Sequence, residues 1–144
     1  MESDNVSEVR DAADQYINEA LKLQNSDNPG LSLVSVPLNC MNYLTWSRSM
    51  VIALCAKDKL GFITGKVEKP PDNFNLFEKW RRVDCMVISW ILNSISKELV
   101  EYFIYTPSAK DLWNELEQRF GVNNGPLLYN IKREIASFTQ GVCH

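Results

Sequence analysis

FNLFEKWRRVDCMVISWILNSI, residues 74–95, is the stretch on which the reading of this chain turns. Leu76, Phe77, Trp80, Val83, Val87, Ile88, Ile91, Leu92 and Ile95 recur at three- and four-residue steps, the period of an α-helix. Trp90 widens the apolar face beyond a single stripe. A helix apolar over that much of its surface sits at the centre of its domain. The spacing predicts one long helix around which shorter ones pack.

Upstream, residues 66–73 (KVEKPPDN) read as a loop. Pro70 and Pro71 lack backbone donors and push the residues before them out of helical geometry. Gly61 and Gly65 bracket an apolar pair, Phe62 and Ile63, as a glycine-punctuated helix end. Tyr43, Trp46, Met50 and Leu54 place an aromatic-rich stripe on a helix over about 42–58, with Asn42 as its N-cap. LSLVSV, residues 31–36, alternates with period two and predicts a short extended segment. It follows a break at Ser26-Asp27-Asn28-Pro29-Gly30. A first helix is expected over about 5–24, on a narrow face of Val6, Val9, Ala13, Tyr16, Ile17, Ala20 and Leu21 that predicts loose docking.

Downstream, Ser96 opens a short helix through Leu99, Val100, Phe103 and Ile104. Thr106 reads as the cap of the next helix and Pro107 as its first residue. Ala109, Leu112, Trp113, Leu116 and Phe120 face inward on it, and Gly121 suits a positive-φ end. Gly125-Pro126 precedes a sixth helix with Leu127, Leu128, Ile131, Ile135 and Phe138 inward and Lys132, Arg133 and Glu134 outward. The expected fold class is all-α, with about six helices and a short extended segment near 31–36.

Composition bounds the function. With 144 residues, 45% apolar and 23% charged, the chain fits one globular domain with a sizeable core. No run of 18 apolar residues exists, so no transmembrane helix and no membrane partner are expected. The N-terminus, MESDNVSEVRDAADQY, is acidic and polar and does not read as a leader. Four Cys in a leaderless chain imply a reducing, cytoplasmic setting with free thiols, Cys55 and Cys85 acting as small apolar helix residues. Residues 1–25 hold six acids and two bases, a local net of −4, which marks an acidic N-terminal helix or tail. The remainder carries a net of +1, with its bases scattered except at Lys79, Arg81 and Arg82.

Sites of known chemistry are absent. Cys40, Cys55, Cys85 and Cys143 form no C-x-x-C pair, and only His144 could add nitrogen, so no zinc site is expected. Gly61 to Lys66 (GFITGK) has three residues between its glycines and Val67 after the lysine, which fails the phosphate-loop spacing. Carboxylates are spread along helix faces with no acid/base couple. Trp46, Trp80, Trp90 and Trp113 suit a base-stacking platform in principle, but three of them lie in register with the apolar stripes, which points to core packing. A helix-turn-helix reading of the 107–120 helix fails on its exposed set (Lys110, Asp111, Asn114, Glu115, Glu117, Gln118, Arg119), whose acids phosphate would repel. No catalytic residue, cofactor or metal is expected, and the chain does not read as an enzyme.

Asn28-Pro29-Gly30, Leu38-Asn39, Asn42-Tyr43, Trp46, Lys59-Leu60-Gly61-Phe62 and Gly65 form an ordered series. It continues through Trp80, Asp84, Trp90 and Leu92 (W-x3-D-x5-W-x-L), then Thr106, Ala109, Leu112-Trp113, Leu116 and Phe120. It ends in Leu128-Tyr129-Asn130-Ile131-Lys132-Arg133-Glu134-Ile135. Over residues 26–141 this series resembles the N-terminal Gag region of plant copia-type LTR retrotransposons. The resemblance implies a capsid-like, self-associating helical domain that forms particles around element RNA, with no catalysis. It also implies a domain that is incomplete at its C-terminus, since the family's further helices and its zinc knuckle do not follow. A fragment or remnant of an element, or a host-recruited protein-interaction module, is then expected. Itself is the first expected partner. RNA is the alternative, with Lys79, Arg81, Arg82, Lys132 and Arg133 as candidate contacts.

Overall fold

The computed structural model describes residues 15–71 and 75–121. Six helices lie within them: α1 (15–20), α2 (Tyr43–Ala56), α3 (Gly61–Thr64), α4 (Asn75–Leu92), α5 (Lys97–Phe103) and α6 (Ala109–Phe120). No strand occurs among the described residues, and the fold is all-α. The expected sixth helix, over 127–138, lies outside the described residues. Within them, six helices are reached because α3 is a separate turn of helix.

The long helix is central, as its period requires. Trp80, Val83, Asp84, Val87, Trp90 and Ile91 are its buried residues. Against them pack Trp46, Met50 and Leu54 of α2, Phe62 and Ile63 of α3, Leu99 and Phe103 of α5, and Leu112 and Leu116 of α6. Each of these sets steps by one, three or four positions, so each helix offers one stripe to the common core. Ala20 and Leu21 are also buried in it, so the end of α1 is docked more firmly than its narrow face suggests.

Residues 31–36 do not form the expected extended segment; bends occupy 33–36. The isolated parallel bridge falls two residues later, between Leu38 and Ile95. Leu38 N–H donates to the Ser94 carbonyl at 3.0 Å, and Ser96 N–H returns to the Leu38 carbonyl at 2.9 Å. The alternation of LSLVSV reflects half-buried Leu31, Leu33 and Val34 packing as a coil against the core.

Several expected caps are placed differently. Asn42 precedes α2, but its side chain makes no cap bond; its Oδ1 accepts from Asn39 N–H and its Nδ2 donates to the Pro37 carbonyl, closing the preceding turn. The cap of α6 is Ser108, whose hydroxyl accepts from Asp111 N–H, and the helix starts at Ala109. Thr106 instead donates its hydroxyl to the Phe103 carbonyl at 2.6 Å and so closes α5. Ile104 falls outside α5 and is exposed. Gly121 has φ −97, not a positive value. Its lack of a side chain serves close approach, since a Cβ there would stand 2.6 Å from the Tyr43 ring. Among the described residues the positive-φ positions are Gly65 (φ 85) and Asp58 (φ 59). At Asp58 the chain leaves α2 through paired bonds, Asp58 N–H to the Cys55 carbonyl and Lys59 N–H to the Leu54 carbonyl, which satisfy the last carbonyls of the helix.

The cysteines differ from expectation too. Cys40 is disulfide-bonded, while Cys55 and Cys85 are free but exposed rather than buried. Linear spacing carries no information on the few-ångström approach of Cα atoms that a disulfide needs. No helix among the described residues is long and apolar enough to cross a membrane.

Candidate interaction surface

Trp46, Trp80 and Trp90 are core, and the indole nitrogens of Trp46 and Trp90 tie separate parts of the chain together. Trp46 Nε1 donates to the Ser94 carbonyl at 2.7 Å, tying α2 to the end of α4. Trp90 Nε1 donates to the Asn28 carbonyl at 2.7 Å, and Asn93 Nδ2 donates to the Pro29 carbonyl at 2.6 Å. The Asn28-Pro29-Gly30 turn is thus clamped onto the C-terminal end of α4. Lys57 closes the same corner: its ammonium lies 5.0 Å from the Trp90 ring centroid and 2.9 Å from Asp27 Oδ1. Burial pushes the Asp27 carboxyl up, but the bonds from Lys57 and Gln24 N–H outweigh it and the net direction is down. Ser94, fully buried, is the polar hub: its hydroxyl donates to the Trp90 carbonyl and accepts from Leu33 N–H. Trp113 is only half-buried and stacks on Trp46 with ring centroids 5.5 Å apart.

A groove of about 840 Å³ lies between the α3–α4 loop, α4 and the α5–α6 corner. Phe77, Ile88, Leu92 and Ile104 give it an apolar lining, with Lys69, Arg81 and Lys110 among the charged groups. Two buried polar groups stand on its wall. Trp80 Nε1 is a buried donor without an acceptor. Asp84 is 4% exposed, and its Oδ1 accepts from Ala109 N–H at 3.2 Å. A carboxylate of α4 therefore caps the first turn of α6 from 25 residues away, where the helix dipole favours negative charge. Burial nonetheless dominates and pushes the Asp84 carboxyl up to about 6; Asp111 adds to the rise, while the Ala109 bond and Lys69 oppose it.

Of the expected contact residues, Lys79, Arg81 and Arg82 are all exposed on α4. With Glu78 and Cys85 they line a shallow depression of about 440 Å³. None of the three pairs with a described carboxylate. Lys132 and Arg133 lie outside the described residues. Asp84 and Ser94 were missed as structural sites by residue patterning, because an acid or a serine inside an apolar period looks like an interruption. The W-x3-D-x5-W spacing was the available signal for Asp84. Among the described residues no group of three or more His, Cys, Asp or Glu is placed to hold a metal ion.

Residues 24–71 match the family described as the Gag-polypeptide of LTR copia-type. The chain is 22% identical over 133 aligned positions to the retrovirus-related Pol polyprotein from transposon RE1 of Arabidopsis thaliana, covering 85% of this chain and 9% of that one. It is 26% identical over 110 positions to the corresponding polyprotein from transposon RE2 of the same plant, covering 69% of this chain and 8% of that one. The chain spans less than a tenth of the length of these relatives. No solved structure matches it. The likeness to a copia-type Gag polypeptide is carried by residues 24–71.

Proposed function

We propose that this chain is a Gag-type structural module that self-associates in the cytoplasm, contributing to particles around element RNA. Its working unit is residues 26–141, preceded by the acidic segment 1–25. The observation that carries the proposal is the apolar corner between α5 and α6. Tyr102, Ile104 and Tyr105 are 56%, 51% and 92% exposed, three large apolar side chains within four residues. Such clusters on a small domain mark contact with another protein. Sedimentation velocity across a hundredfold concentration range at high salt tests it. Self-association should weaken in Tyr105→Asp with an unchanged melting temperature. A strict monomer at every concentration refutes the assembly reading.

A second reading is favoured by Lys79, Arg81 and Arg82, which the fold gathers on one exposed stretch of α4. These three would bind RNA phosphates, with Lys132 and Arg133 extending the contact. Three phosphate contacts to a single strand give a slope of log affinity on log salt of about −2. Triple substitution by Gln should remove that slope. No RNA binding at low ionic strength refutes it.

A further inference from the structure

The groove over α4 carries polar atoms that its own chain leaves unused. Trp80 and Asp84 both line it, one helical turn apart and so on one face of α4. Trp80 is buried, and its Nε1 donates to nothing. Asp84 is buried too; Ala109 N–H reaches its Oδ1, and no described group donates to Oδ2. A buried polar atom without a partner is unfavourable until one arrives. This face lacks one acceptor and one donor, and a phenol hydroxyl supplies both from a single oxygen. Residues four apart on a helix stand about 5–6 Å apart at Cβ, a span that two hydrogen bonds through one oxygen cover.

The charges around the groove cancel: Lys69, Arg81 and Lys110 against Glu68, Asp84 and Asp111. An uncharged, aromatic occupant suits such a lining better than a phosphate chain does. The molecule presents one at the groove's edge. Ile104 and Thr106 line the groove, while Tyr105 between them does not. The Tyr105 side chain is 92% exposed, so it packs on almost nothing of its own chain. Ile104, itself exposed, belongs to both surfaces, so the apolar corner and the groove are continuous. At about 840 Å³ the groove falls within the range of pockets that enclose whole ligands, about 300–1,000 Å³. Tyrosine is also a residue on which contacts between proteins concentrate their energy, since its ring is apolar and its hydroxyl bonds at a fixed point.

We infer that the groove of one copy receives Tyr105 of a second copy, the hydroxyl accepting from Trp80 Nε1 and donating to Asp84, and that the contact is reciprocal. Because corner and groove are neighbours, a two-fold axis beside Ile104 lets both insertions occur at once and closes the pair. The inference rests on the self-association reading and gives it a geometry, corner into groove rather than corner against corner.

Sedimentation velocity and NMR of the indole N–H groups, both on the full chain, test it. Tyr105→Asp spoils the corner. Ser89→Arg, at a half-buried lining position of α4, spoils the groove. Each variant should stay monomeric where the parent chain pairs. Mixed one to one they should pair again, because one intact corner still meets one intact groove. Thermal melting checks that both fold, and a gentler pair decides without them. Trp80→Phe should weaken pairing about fivefold and Tyr105→Phe about twentyfold, since the latter loses both bonds; the two together should weaken it no more than Tyr105→Phe alone. The Trp80 indole signal, identified by its loss in Trp80→Phe, should shift with concentration while that of Trp90 does not. If the parent pairs, any of three results overturns the groove contact and leaves self-association standing: folded variants whose mixture stays monomeric, additive effects of Trp80→Phe and Tyr105→Phe, or a Trp80 signal indifferent to concentration. A parent chain that is monomeric at every concentration overturns both.

Discussion

Replacing Asp84 by Asn should stabilise the protein at neutral pH and flatten its stability between pH 4 and 7. The Asp84 carboxyl is almost fully buried, and burial raises it from 3.8 to about 6. The folded state therefore holds this proton more tightly than the unfolded chain does. Its contribution is most favourable below pH 3.8 and is lost as pH rises through about 6. At about 1.4 kcal/mol per unit of pKa, ionised Asp84 costs the native state about 3 kcal/mol at pH 7.5 relative to its neutral form. Asparagine mimics that neutral form, since its Oδ1 still accepts from Ala109 N–H. Its new amide donor needs an acceptor, which trims the expected gain to about 2 kcal/mol. Urea unfolding of both proteins at pH 4.5, 6.0 and 7.5 measures this directly. Other carboxylates, Asp27 included, titrate in both proteins and cancel in the difference. The difference should be near zero at pH 4.5 and grow to about 2 kcal/mol in favour of Asn at pH 7.5. A difference that stays constant across the three pH values refutes the assignment of a buried, ionisable Asp84.

Trp46→Ala should cost about 4 kcal/mol as a full core truncation, and Trp113→Ala only about 2, because Trp113 is half-buried. Their double mutant should reveal a coupling of about 1 kcal/mol from the stacked pair, read from denaturation midpoints. Trp90→Phe removes the bond to the Asn28 carbonyl and should cost about 2 kcal/mol. Amides of residues 27–31 should then exchange faster while those of α6 do not. Gly65→Ala forces a side chain into φ 85 and should lower stability by about 1 kcal/mol; the nearby Lys110 chain is flexible enough to move aside.

The helices were legible because each buries one stripe, and a stripe is a property of linear spacing. Residues 74–95 gave away the central position of α4 through the width of its apolar face. The capping residues were less legible. Thr106-Pro107 and Ser108 both offer a hydroxyl before the same apolar run, and only the path of the preceding turn decides between them. Thr106 is taken by the Phe103 carbonyl, which leaves Ser108 to α6. At LSLVSV the period of two was real, but one alternating segment has no partner strand. Its backbone found single long-range bonds instead, through Ser94 Oγ and the Leu38–Ile95 bridge.

The surface was harder to read than the core for a physical reason. Lys79, Arg81 and Arg82 are adjacent in sequence and on one helix, so their proximity needed no tertiary information. The groove above them is assembled from a loop, a helix and a corner that are neighbours only in the folded chain. Asp84 belongs to both descriptions. By period it is a core position of α4; by charge it is a surface residue. It satisfies both by capping α6 while lying on the groove wall beside the unpartnered Trp80 indole. A buried aspartate whose ionisation costs the native state about 3 kcal/mol of stability above pH 6 is a local conflict between charge and burial. Asp84 is one such conflict, and it falls on this groove wall.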